Sequence, residues 1–292
     1  MIGSVADFLD ATAFEHAALA AIFPLVSRQD RQGTLDLRTK NITLHLKSIV
    51  SVGDGGRNAL VEQLRPLVFG CAWKILDLLI EFGLNAAVGQ RDWKIEEKQR
   101  DAATGQVPPM STDPDAWPRL CAVYRGTVQA RHCLIHRRFV LAGGAMTELR
   151  DKHGNLHPDV SASEQDALCR LAQRARVVVE IGSLSARDRL DMVSSLDTLA
   201  AHHGLPIIGG GSPSKLPERI VLDAVLNGRV WRIDAPSALA EANRAFPGRQ
   251  YFDVEINFPG SGFPPLIGRL EDAPKLRDVE IDPSNPPPWI EA

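Results

Sequence analysis

The placement of proline constrains this chain more than any other feature. Thirteen of the 20 prolines lie beyond residue 205. Proline inside a helix removes a backbone donor and collides with the preceding turn, so the long helices belong before that point. The tract 58–88 is the clearest of them. Leu60, Leu64, Leu67, Val68, Cys71, Ala72, Ile75, Leu76, Leu79 and Phe82 recur at the three–four spacing of a wide apolar stripe. Pro66 is expected to kink or interrupt it.

Around that tract the chain reads as follows. Residues 4–26 predict one helix, with Val5, Phe8, Leu9, Ala13 and Ala17 on a common face. Residues 27–40 are polar, and 41–52 read equally as helix or strand. Asp54-Gly55-Gly56 is a turn. Asp92–Asp101 predicts a short charged helix, Val107–Pro118 a loop with four prolines. A long helix is expected from Pro118 to Phe139, proline being suited to a first turn. A hairpin is expected around His153-Gly154-Asn155. Ser161-x-x-Glu164 and Ser185-x-x-Asp188 open two further helices, or one bent helix, ending near His203. His202-His203 reads as helix-end capping and Gly209–Lys215 as a linker, since the P-loop spacing fails. Beyond it, Ile220–Leu226 and Val230–Ile233 flank Asn227-Gly228, a strong hairpin signal. Ser237–Ala245 predicts a short helix, Tyr251–Phe258 a strand, and Lys275–Ile281 a last strand. Two domains are therefore expected, 1–204 helical and 205–292 a small α+β extension.

Hydrophobic residues make up 44% of the 292 and charged residues 24%, enough for a real core. Cys71, Cys121, Cys133 and Cys169 form no C-x-x-C pair and read as buried thiols of a reducing cytoplasm. The N-terminal stretch has acids where a signal peptide has bases, and no apolar run reaches the roughly 18 to 20 residues that span a bilayer, so no membrane association is expected.

The formal net charge is −3, so any nucleic-acid site must be a local patch. Residues 118–147 supply one: Arg119, Arg125, Arg131, Arg137 and Arg138, with no Asp or Glu. His132 and His136 lie within it, one turn apart. A ribonuclease working without metal needs a base for the 2′-hydroxyl proton and a fixed cation for the phosphate as charge builds. Histidine suits the first task and arginine the second. Arg131 and His136 stand about 140° apart around a helix, so they converge only on a third object at the helix edge, and a twin helix across a two-fold axis would complete the set. His132-x-x-x-His136 has the spacing of a helical metal pair but lacks the glutamate of H-E-x-x-H. A metal enzyme is thus the weakest reading, and the site calls for no metal or cofactor.

Ala130-Arg131-His132-Cys133-Leu134-Ile135-His136-Arg137 resembles the R-x4-6-H signature of HEPN domains, with His132 as the polar residue that follows the arginine. Ala72–Phe82 resembles the earlier core helix of bacterial HEPN proteins, and Trp93–Lys98 the short segment after it. The resemblance covers roughly 58–140, or as far as 203 at its longest. It implies a mainly α fold, an antiparallel helical bundle that dimerises, here with a β-hairpin insertion and the C-terminal extension. It also implies a composite cleft at the homodimer interface, where metal-independent endoribonucleases of toxin–antitoxin and antiphage systems cut RNA to a cyclic phosphate. Arg131, His136 and His132 are then the catalytic candidates, and Arg125, Arg137, Arg138 and Tyr124 the candidates for binding RNA. Asp77 and Glu81 are the candidates for a supporting acid. RNA, a second copy and a cognate antitoxin or defence protein are the implied partners. The competing reading is a non-catalytic HEPN-like module, with a partner- or ligand-binding C-terminal region.

Overall fold

The computed structural model describes residues 2–26, 32–45, 63–200, 217–249 and 251–291. The Asp54-Gly55-Gly56 turn, His202-His203 and the Gly209–Lys215 linker lie outside them. The chain divides into two compact units, Met1–Arg28 with Ile49–Ser214, and Gln29–Ser48 with Lys215–Ala292.

The first unit is helical. Its elements are α1 (Val5–Ala11), α2 (Ala13–Val26), α3 (Arg65–Val88), α4 (Ile95–Asp101), α5 (Ala116–Ile135), α6 (Ala162–Ile181) and α7 (Ala186–Ala200). The single N-terminal helix expected over 4–26 is two, parted at Thr12, whose hydroxyl donates back to the carbonyls of Phe8 and Leu9. That local bond competes with continuation of the ladder. α3 is the axis of the unit. Phe69, Ala72, Trp73, Ile75, Leu76, Leu79, Ile80 and Leu84 are buried along its length, packed by α2, α5 and α6. Each large side chain among them contributes roughly 1.5–3 kcal/mol by leaving water. Pro66 falls in the first turn of α3, where its missing N–H costs nothing, so of the kink or interruption expected there the structure has an interruption, with α3 starting at Arg65. Gly83 lets the Val107–Trp117 segment approach closely: a Cβ there would stand 2.7 Å from Val107 and 3.2 Å from Trp117.

α6 begins in the expected capping box, Ser161 with Glu164. It ends at Gly182, whose left-handed φ of 71° separates it from α7. Two small hairpins follow α5: β3 (Val140–Ala142) with β4 (Ala145–Thr147), and β5 (Leu149–Arg150) with β6 (Leu156–His157). The second is the hairpin expected at 153–155. The first turns on Gly143-Gly144.

The second unit is built on a six-stranded mixed sheet. Its strands are β1 (Gln32–Asp36), β2 (Asn41–His45), β7 (Glu218–Asp223), β10 (Phe252–Asn257), β11 (Leu266–Arg269) and β13 (Ile290–Glu291), in the order β13-β11-β10-β7-β1-β2. β1 and β10 run parallel to β7, and the other pairs are antiparallel. β8 (Val225–Asn227), β9 (Val230–Ile233) and β12 (Val279–Ile281) form a three-stranded sheet, turned at the expected Asn227-Gly228. Leu35, Ile220, Leu222, Phe252, Val254 and Ile256 form the core, joined by Ala238 and Ala242 of α8 (Ala235–Ala245). Alternate residues of β10 are buried, as a strand with one covered face requires.

This sheet corrects the expected fold class. The chain is not an antiparallel helical bundle carrying a small appendage. The stretch 32–45, inside the region read as helical, supplies two strands of the sheet. Parallel strands need a long crossover, and between β1 and β7 the crossover contains the whole of α3 to α7. No helix among the described residues is long and apolar enough to cross a membrane.

Candidate functional site

α5 carries the motif, and three neighbours position it. Its buried face, with Leu120, Val123, Tyr124, Thr127 and Cys133, lies against the unit's core. The helix ends at Ile135, four residues earlier than expected, and His136 is its C-cap. The Arg137 N–H donates to the Leu134 carbonyl at 3.1 Å and the Arg138 N–H to the Cys133 carbonyl at 2.8 Å. This double closure usually has glycine at its left-handed position. Here Arg137 takes it, at φ 52°. The turn is then tied to β5: the Arg150 N–H donates to the Arg138 carbonyl at 3.0 Å, and the Cys133 thiol donates to the Arg150 carbonyl at 3.2 Å.

Arg131 is half-buried on the α3 side. Its guanidinium carbon stands 5.1 Å from the centre of the Trp73 ring, a cation–π distance. Trp73 in turn stacks on Tyr124, centroids 5.3 Å apart. Among the described residues Arg131 makes no ion pair, and the same holds for Arg125, Arg137 and Arg138, all three exposed. His132 is half-buried and His136 exposed. Burial, and after it the charge of Arg131, lowers the His132 pKa below its usual 6.5, so the ring is neutral at neutral pH. By the 100° helical step, Arg125 and His132 share a stripe with the direction in which His136 leaves the helix, while Arg131 turns into the α3 seam.

Three expectations need correction. Tyr124 is fully buried, so it presents no ring to RNA. Its hydroxyl donates to Asp77 Oδ1 at 2.8 Å, and burial, followed by that carboxylate, pushes its pKa upward. Asp77 and Glu81 do not support Arg131 by pairing with it. Lys98 Nζ donates to Asp77 Oδ2 at 3.0 Å and to Glu81 Oε2 at 2.8 Å. Arg119, counted in the positive field, is buried and paired with Asp197 at 2.5 Å, which removes it from any surface patch.

Lys98 and Trp73 are the residues of the site that sequence reasoning passed over. Lys98 lies three residues after Ile95, on the side of α4 that faces the core, and that spacing was the available signal. All four cysteines are buried and free. Burial raises the thiol pKa of each, to about 12 for Cys121, so none offers a thiolate. Among the described residues no three His, Cys, Asp or Glu side chains gather as a metal-ligating group.

The arrangement offers two imidazoles one turn apart for proton transfer and, on the neighbouring α3 edge of the helix, a guanidinium with no ion pair among the described residues. No family model matches the chain, and neither a curated protein nor a solved structure matches it.

Proposed function

We propose that this protein is a metal-independent endoribonuclease of the HEPN type, with its active site at the C-terminal end of α5. The observation that carries the reading is Arg131: a half-buried arginine next to His132 in the chain, with no carboxylate partner among the described residues while Asp77 and Glu81 of α3 are bound by Lys98. Such a cation is available to a phosphate. In the cleavage step the 2′-hydroxyl proton passes to an imidazole, the 2′ oxygen bonds to phosphorus, and the bond to the 5′ oxygen breaks with a proton returned to that oxygen. The products are a 2′,3′-cyclic phosphate and a 5′-hydroxyl. His132, held neutral by burial, fits the acceptor, and His136, exposed at the helix end, fits the donor. The roles reverse if water opens the ring. Arg131 holds the phosphoryl oxygens as negative charge develops.

Arg125, Arg137 and Arg138 extend the field along which RNA would track. A second copy meeting the first at this helix end would bring two sets together, which suits a site whose arginine and histidine point to different edges of one helix. A cytoplasmic role in toxin–antitoxin or antiphage defence, with a cognate antitoxin or defence partner, is part of the same reading.

The test is to incubate purified wild type and His136→Ala with end-labelled single-stranded RNA and to express both in bacteria. Cyclic-phosphate ends are expected from the wild type alone. RNA left intact by the wild type under every activating condition tried rules catalysis out.

One observation favours the alternative of a binding module. The second unit carries a groove of about 580 Å³ beside α8, floored by Leu35, Ile42, Leu222 and Val225. Wild-type binding of a ligand there, with no cleavage of RNA, would support that reading instead.

A further inference from the structure

We infer that Lys98 is a positioning residue that keeps Arg131 free for phosphate by occupying the two carboxylates that would otherwise capture it. The inference rests on the ribonuclease reading and deepens it.

Trp73, Asp77 and Glu81 follow one another at four-residue steps on α3, so they share a face and rise about 6 Å per step. Arg131 lies over the first of them. The phenol of Tyr124, bonded to Asp77, feels the charges of Asp77, Arg131 and Glu81 together, which places all three in one electrostatic neighbourhood. A guanidinium over Trp73 is therefore about one helical turn from a buried carboxylate and two from another. In a dry seam an unpaired pair of carboxylates would attract the nearest long cation strongly. Arginine binds carboxylate with the same fork that it offers to phosphate.

Lys98 prevents that exchange. Its side chain is 5% exposed, and its ammonium lies within 3.0 Å of Asp77 and 2.8 Å of Glu81. Asp77 spends its other oxygen on Tyr124, whose ring backs Trp73. Asp77 is thus held by Lys98 and Tyr124 together, and Glu81 by Lys98. The Tyr124–Trp73 stack that they fix becomes an apolar floor beneath the guanidinium of Arg131. One buried lysine both neutralises the competitors and stiffens the platform.

The experiment measures the affinity of a short 2′-O-methyl RNA oligonucleotide, which cannot be cleaved, by fluorescence anisotropy at fixed salt. Arg131→Ala is expected to weaken binding roughly tenfold or more, the loss of a charge-assisted contact. Lys98→Met should weaken it comparably, because Arg131 turns to Asp77 and Glu81. The double variant Lys98→Met/Arg131→Ala should be no weaker than Arg131→Ala alone, whereas a purely structural lysine would add its own loss. Removing all three charges together with Asp77→Asn, Glu81→Gln and Lys98→Met leaves no uncompensated charge, and the amide oxygen at 77 still accepts from Tyr124. This triple variant should bind as the wild type does, and it keeps the test open if Lys98→Met alone does not fold.

Additive losses in the double variant, or a folded triple variant as weak as Arg131→Ala, would overturn the role of Lys98 and leave the ribonuclease reading standing. Wild-type affinity in Arg131→Ala, together with an absence of cleavage by the wild type, would sink both.

Discussion

Arg119 and Arg131 lie 12 residues apart on α5, about 18 Å along the same helix. The first is sealed against Asp197 inside the unit. The second stays half-buried over Trp73 with no acid bound to it among the described residues, although two carboxylates stand nearby on α3. Both residues meet the same helical scaffold, so position alone does not decide their state. What differs is the assignment of the acids. At the Arg119 end an acid is left for the arginine, and the pair is a structural brace. At the Arg131 end a lysine from α4 takes the acids first, and the arginine is left over. A charge held at the rim of a core with no carboxylate bound to it among the described residues is the kind of arrangement that clusters at functional sites.

The largest effect expected at the open end is catalytic. His136→Ala should lower the single-turnover rate on labelled RNA by about 10² to 10⁴, the usual contribution of a general acid or base. An unchanged rate would remove the helix end from the chemistry and dissolve the contrast. At the closed end the effect is on stability. Arg119→Ala removes one side of the buried Arg119–Asp197 pair and should cost about 3–5 kcal/mol in urea unfolding, whereas Arg131→Ala should cost less than about 1 kcal/mol. Equal losses would mean that Arg131 is a brace as well.

A smaller effect sharpens where the open end stops. Arg137→Gly relieves a left-handed backbone that only glycine adopts without strain, and should raise stability by about 0.5–1 kcal/mol. A loss would show that the arginine side chain repays its strain with contacts. The slightest effect is on pH dependence. Because His132 titrates below 6.5 in the folded chain, the unfolded chain takes up its proton more readily. The resulting stability is complete above pH 6.5 and is lost as pH falls through the folded value. His132→Gln should therefore narrow the difference between urea midpoints at pH 7.5 and pH 5. A slope that is unaltered, or steeper, would contradict the burial argument.

Much of the helical unit was legible because its signals are local. The apolar stripe of α3 and the Ser161–Glu164 capping box each specify their element within a few residues, as the Asn227-Gly228 turn does in the second unit. The end of α5 was not legible, because the residue in the glycine position is Arg137 and the stop comes from its backbone and from ties to β5. The motif residues were visible as a pattern, but their partners were not. Nothing in the spacing of Asp77 and Glu81 says that Lys98 reaches them before Arg131 does. β1 was hidden for a different reason. Its sequence Gln32-Gly33-Thr34-Leu35-Asp36 has one large apolar residue, and Gly33 is there because Phe246 and Glu218 come too close for a side chain. The strand is specified by partners far along the chain.

That distance has a consequence in time. Thr34 pairs with Arg219, so 185 residues separate the two halves of the central parallel ladder. At a synthesis rate of roughly 5–20 residues per second, the β1–β2 hairpin waits on the order of 10–40 s for β7 to be made. During that interval all the helices from α3 to α7 emerge. The helices from α3 to α7 can condense first, and the sheet, split across the sequence, closes only late in synthesis.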